Sequence, residues 1–171
     1  MKIAITGHTQ GIGLALYNYF SPNNDIIGFS KSTGYNIADS NHRQCIVDQA
    51  KNCDIFVNNA YSDFSPDAQL ELLKLVHEQW QNSDKLIINI SSRFTEANNA
   101  YSNAKKELDN YCLTNSRSSV YITNLKPGLT DTARVKSISG SRMSTANIIE
   151  VLNFILINKN NFRVHNISFG L

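Results

Sequence analysis

Ile3-Ala4-Ile5-Thr6-Gly7-His8-Thr9-Gln10-Gly11-Ile12-Gly13 is the stretch whose reading decides the fold. A short β-branched run gives way to a turn containing three glycines, and apolar spacing then becomes helical from Ile12 to Phe20. That order is strand, tight turn, helix. Gly7 permits the turn, Gly11 lets backbone come close to a pyrophosphate, and Gly13 lets the helix pack closely against the strand. The helix N-terminus adds free N–H groups and a partial positive charge. A glycine turn alone is equally an ordinary β–α connection. Its place behind the first strand of an α/β pattern is what points to a nucleotide.

Outward from this turn, β-rich runs alternate with helical patterns. Strands are expected at Ile3–Thr6, Ile26–Ser30, Ile55–Asn58, Leu86–Ile90, Val120–Leu125 and Val164–Phe169, with a very short one at Tyr35–Ile37. Helices are expected at Ile12–Phe20, Asp39–Lys51, Asp67–Gln81, Asn103–Asn115 and Thr145–Asn158. Several strands are apolar on consecutive residues, as burial on both faces requires. The expected fold class is therefore α/β: one Rossmann-type, doubly wound parallel sheet of about seven strands with helices on both faces. No linker, repeat or low-complexity block divides residues 1–171, so a single domain carries every site. The helix from Asp67 spreads Leu70, Leu72, Leu73, Leu75, Val76 and Trp80 over more than one face, which leaves apolar surface for a partner subunit.

Composition excludes several classes. A formal net charge of +2 and sixteen scattered Lys and Arg residues supply no basic tract for nucleic acid. No apolar stretch reaches the ~20 residues of a membrane span, since Ile148–Ile157 is interrupted by Glu150 and Asn153. Cys45, Cys53 and Cys112 are odd in number and form no C-x-x-C pair, which fits a reduced compartment. No leader is expected ahead of Ile3, so a cytoplasmic protein is expected. His8, His42, His77 and His165 have no metal-ligand spacing, and no metal is expected.

Three further stretches follow the glycine turn: Asn58-Asn59-Ala60, then Asn89-Ile90-Ser91-Ser92 with Tyr101-Ser102-Asn103-Ala104-Lys105, then Asn124 to Thr132 with Pro127-Gly128 and Asp131-Thr132. Together with Thr6–Gly13 they resemble, in order, the motifs of the short-chain dehydrogenase/reductase family. Each is common alone; four in register across nearly the whole chain are specific. The resemblance implies an NAD(P)-dependent oxidoreductase acting on a small carbonyl or alcohol. A catalytically weak or inactive NAD(P)-binding module, regulatory or structural, stands beside it as the alternative. Family members commonly form homodimers or homotetramers, and the same is expected here.

Tyr101 and Lys105, four apart, share a helix face. An ammonium beside a phenol favours the phenolate, the state a general acid/base exchanges with. By resemblance, Tyr101 passes its proton to the carbonyl oxygen, Lys105 also binds the nicotinamide ribose, and Ser92 rather than Ser91 hydrogen-bonds the substrate oxygen. The same resemblance places Gly7, Thr9, Gln10, Gly11 and Ile12 on the cofactor phosphates, and Asn36 and Ile37 by the adenine. Asn58, Asn59 and Ala60 form the central turn, while Pro127, Gly128, Leu129, Thr130 and Thr132 close over the nicotinamide. The second strand ends Gly28-Phe29-Ser30-Lys31-Ser32 without the carboxylate that NAD-selective proteins place on a ribose 2′-hydroxyl. Ser30 and Lys31 suit a 2′-phosphate, so NADP(H) is favoured over NAD(H).

The chain also departs from the family pattern. Tyr61 stands where glycine is usual, Ser92 and Tyr101 lie closer in sequence than usual, and the segment after Thr132 is short. The family's relay asparagine has no counterpart, because no Asn occurs between Asn59 and Asn82. That role is vacant, or falls to water or another side chain.

Overall fold

The computed structural model describes residues 1–171. Strands β1 (Lys2–Thr6), β2 (Asp25–Phe29), β3 (Ile55–Asn58), β4 (Leu86–Ile90), β5 (Tyr121–Pro127) and β6 (Asn166–Phe169) form one parallel sheet in the order β2-β1-β3-β4-β5-β6. Helices α1 (Gly11–Phe20) and α5 (Thr145–Asn158) meet on one face, while α2 (Ser40–Ala50), α3 (Ala68–Gln79) and α4 (Ala100–Thr114) line up on the other. The fold is the expected Rossmann-like one, with six strands rather than seven.

The pleat distributes the core. On β4, Ile87 packs towards α2, α3 and α4, while Ile88 and Ile90 pack towards α1 and α5; Ala4 and its neighbours Ile3 and Ile5 divide in the same way. Each fully buried aliphatic side chain contributes roughly 1.5–3 kcal/mol. Trp80 lies inside the core, edge-on to Phe56 at 6.2 Å. Four asparagines, Asn58, Asn89, Asn124 and Asn166, stand at paired positions on adjacent strands. Their side-chain amides bond in series at 2.9, 2.7 and 3.2 Å. Buried amides are costly unless paired, and the ladder pairs those of Asn58, Asn89 and Asn124 across the sheet, with only Asn58 Oδ1 left without a partner.

The missing strand has a local cause. After β2 the chain curls into a 3-10 turn, Lys31–Thr33, closed by reciprocal Ser30 and Thr33 bonds and by Gly34 at φ 88°. The Tyr35 N–H bonds back to the Ser30 carbonyl, and Ile37 goes into the core rather than into a ladder. Two helix starts also differ. Asn99 caps α4 by accepting from the Ser102 N–H at 2.9 Å, so α4 opens at Ala100 and carries Tyr101 in its first turn. Asp67 makes no capping bond, and α3 opens at Ala68. Both flanks of α3 are met inside the chain by α2 and α4, which accounts for its wide apolar surface without a partner.

Candidate active site

The chain reverses direction across the sheet between β1 and β3, and the cleft opens at the carboxyl ends of these strands, where ligands bind in such sheets. Its volume is about 770 Å³. At its centre the glycine turn is tied to the Asn58–Ala60 turn. Thr6 Oγ1 accepts from the N–H groups of Asn59 and Ala60 at 3.0 Å each and donates to the Val57 carbonyl at 3.2 Å. Asn59 Nδ2 returns a bond to the Thr6 carbonyl at 3.0 Å. Gly7 sits at φ 69°, a conformation that disfavours a side chain. A Cβ on Gly13 would come within 2.1 Å of the Gly7 carbonyl oxygen and 2.6 Å of Asn59 Nδ2. The close approach expected of Gly13 is thus made to the turn itself. Gln10 precedes α1 without a side-chain capping bond, leaving first-turn N–H groups free of a side-chain cap beside the cleft. The cradle fits a nucleotide's phosphates.

Gly7, Thr9, Gln10, Gly11 and Ile12 line the cleft as expected, and so do Ser30, Lys31 and Ile37 at one end and Asn59 and Ala60 in the middle. Ser32, which the sequence reading passed over, joins Ser30 (2.9 Å) and Thr9 (3.2 Å) through hydroxyl contacts. No carboxylate lines the cleft at this end. Asn36 does not reach the cleft; its N–H donates to His42 Nδ1 and its Oδ1 accepts from the Ala38 N–H. Asn58 is buried in the amide ladder. Pro127, Gly128, Leu129 and Thr130 also lie outside the cleft lining, with the Gly128 N–H bonded to the Phe169 carbonyl at 2.7 Å. Of that segment only Thr132 lines it, with its methyl 3.4 Å from where a Gly11 Cβ would be.

The other end of the cleft gathers Tyr101 and Lys105 from α4. Lys105 Nζ lies 5.5 Å from the Tyr101 ring centre and 5.4 Å from that of Tyr61. The two rings meet edge to face at 5.0 Å. Arg134, from the 3-10 turn Ala133–Val135, covers both rings and pairs with Asp63 at 2.6 Å. Burial pushes the Tyr61 hydroxyl above its ordinary value, and the nearby Asp63 adds to this. Lys105 is 3% exposed, and burial, only partly offset by Asp109, brings it down to about 7. Its Nζ donates to Gln69 Oε1 at 2.6 Å and to the Ile90 carbonyl at 3.1 Å. Gln69, on α3, is the one side chain that accepts from Lys105.

The two serines are placed differently. Ser91 is buried, lines the cleft, and its hydroxyl has no partner. Ser92 is absent from the lining; its Oγ accepts from the Phe94 N–H at 2.9 Å, which leaves its own O–H free to donate. Tyr61, Asp63 and Arg134 were missed because sequence separation hides their meeting, although Tyr61 in a glycine position was a visible signal. No group of His, Cys, Asp and Glu side chains is placed to hold a metal ion. Burial lifts the Cys112 thiol to about 12, so it is no nucleophile.

Comparison with solved structures places the fold among dehydrogenases. The chain is similar to a 3-alpha-hydroxysteroid dehydrogenase from Pseudomonas sp. B-0831 complexed with NADH, at 15% identity and a TM-score of 0.83, over 99% of this chain and 94% of that one. It is similar to a 4-hydroxyisoleucine dehydrogenase complexed with NADH, at 17% identity and 0.76, over 99% and 96%. A short-chain dehydrogenase from Burkholderia cenocepacia J2315 in complex with NADP matches at 11% identity and 0.77, over 99% and 88%. No protein-family model and no curated protein matches the sequence. The chain has the fold of the short-chain dehydrogenases. No helix is long and apolar enough to cross a membrane.

Proposed function

We propose that this protein is a short-chain dehydrogenase/reductase that uses NADP(H) to interconvert a small carbonyl and its alcohol. The observation that carries this reading is the buried Lys105 beside Tyr101, at one end of a cleft whose middle is an open glycine turn and helix N-terminus. Solved structures similar in fold are complexed with NADH or with NADP. The bound cofactor would supply or receive the hydride. The glycine turn and the first turn of α1 hold its phosphates, and Ser30 with Lys31 hold a 2′-phosphate. Tyr101 gives a proton from its hydroxyl to the carbonyl oxygen in the reducing direction and takes it back in the other. Lys105 binds a ribose hydroxyl and steadies the tyrosyl oxygen. Ser92, outside the cleft lining but with its O–H free, is the proposed donor to the substrate oxygen, with Ser91 the competing candidate because of its unpartnered hydroxyl in the cleft.

Thermal-shift and nucleotide-fluorescence titrations with NADPH and NADH test the cofactor. Trp80, buried against Phe56 with Lys85 over its ring just before β4, does not line the cleft. NADPH at a hundredfold excess over its Kd is expected to add roughly 2.7 kcal/mol of stability. Lys31→Glu is expected to weaken NADPH about tenfold or more and leave NADH nearly untouched. Binding of neither nucleotide would reduce the cleft to a structural turn. Assembly as a homodimer or homotetramer is also proposed; α3 is covered within the chain, and Leu113 near the end of α4 is an exposed apolar side chain open to a second copy. Light scattering at micromolar concentration checks it, and a strict monomer removes it. Three free cysteines, two of them buried, suit a reduced cytoplasm.

A further inference from the structure

Lys105 is held from behind by a group whose orientation is not free. Gln69 is 2% exposed, and its Nε2 donates to the Asn58 carbonyl at 2.8 Å and the Ile90 carbonyl at 2.9 Å. An amide nitrogen has only two hydrogens, so both are spent and Oε1 must turn towards Lys105. A flipped amide would set its oxygen against two carbonyls. The Gln69 backbone carbonyl is fixed as well, accepting from Asn58 Nδ2 at 3.1 Å, and Asn58 belongs to the asparagine ladder. We propose that Gln69 is a positioning residue: together with the Ile90 carbonyl it commits two of the three outer valences of Lys105 Nζ to the interior, leaving one for the cleft. The proposal rests on the reading of Lys105 as the lysine that handles cofactor and proton.

The consequence is a simple alternation. With Nζ charged, the outward valence is an N–H that donates to a ribose hydroxyl or to the Tyr101 oxygen. With Nζ neutral, it is a lone pair; a hydroxyl in the cleft can pass it a proton, its O–H bond breaking as the N–H bond forms. Gln69 has no hydrogen left to pass on, so that proton leaves again only through the cleft. Around Nζ, α3 and β4 contribute neutral groups alone, Gln69 and the Ile90 carbonyl. Asp109 lies one turn along α4 and is paired with Lys126 at 2.6 Å. Arg134 faces Lys105 from the 3-10 turn after β5, and the Tyr61 and Tyr101 rings complete the surroundings. Burial among neutral acceptors brings Nζ down to about 7, which populates both forms near neutrality.

The test follows the Lys105 Nζ and Cε resonances against pH in isotopically labelled protein, with Lys105→Arg for assignment. Gln69→Met removes the acceptor that favours the charged amine and is expected to lower the titration midpoint by about one pH unit. Gln69→Glu sets a carboxylate on Nζ and is expected to raise it by more than about one unit. A merely structural glutamine would move both midpoints the same way or neither, and either result overturns the proposal. Should the Glu variant fail to fold, the Met variant decides alone: an unchanged midpoint rejects the role. None of these readings needs substrate or cofactor. Failure of NADPH and NADH to bind the wild type would remove the functional reading and leave the Gln69 result standing.

Discussion

Tyr101→Phe is expected to lower carbonyl turnover by about a thousandfold, the middle of the range for losing a general acid/base, while NADPH affinity stays within about twofold. The substitution deletes one hydroxyl and keeps the ring that Tyr61 and Arg134 pack against, so the wall of the cleft survives. The contrast between lost chemistry and kept binding separates a catalyst from a nucleotide-binding module. In the same assay Ser92→Ala is expected to cost about a hundredfold, as loss of a single hydrogen bond to a developing oxyanion does. Ser91→Ala is expected to cost much less. An unaffected rate in Tyr101→Phe rejects the proton-transfer role, and a large loss confined to Ser91→Ala transfers the hydroxyl role to the buried serine.

The second large effect concerns stability against pH. Lys105 ionises near 7 when folded and near its ordinary 10.5 when unfolded. Between those values the unfolded chain holds the extra proton, so stability rises with pH across this window. Below about 7 both states are charged and the full penalty of burying the ammonium is felt. Lys105→Met has no such proton, although it leaves Gln69 Oε1 without its partner at a cost that does not vary with pH. The stability difference between wild type and Lys105→Met is therefore expected to move in favour of wild type by roughly 2–3 kcal/mol from about pH 7 to about pH 9. Urea melts at several pH values measure it directly. A difference that stays flat would mean the buried amine ionises in its ordinary range.

The parts of this fold that were legible in sequence are those written locally. The glycine turn, its strand and its helix follow from neighbours a few residues apart, and the alternation of apolar runs follows from pleat and helix period. Tyr35–Ile37 misled because its apolar ends serve the core, while the Ser30–Thr33 hydroxyl bonds that curl the chain look like any polar turn. Asn98-Asn99 reads as compositional drift; only the folded helix reveals Asn99 as the cap that brings Tyr101 into the first turn. Gln69 is an unremarked polar residue in an apolar helix until Lys105, distant in sequence, is laid against it. The meeting of Tyr61, Asp63 and Arg134 likewise exists only across the sheet. The motifs placed the chemistry, and long-range contacts decided its geometry.

The asparagine ladder also bears on the order in which the molecule is made. Each rung joins strands far apart in sequence, and the last rung waits for Asn166 on β6. Parallel pairing of this kind is slow, because loop closure is lost before contacts repay it. Asn58 supports Gln69, and Gln69 supports Lys105, so the lysine's setting reaches back through Asn89 and Asn124 to Asn166 on β6. The glycine turn is built from residues a few positions apart, whereas the setting of the buried amine draws on bonds that run across four strands of the sheet.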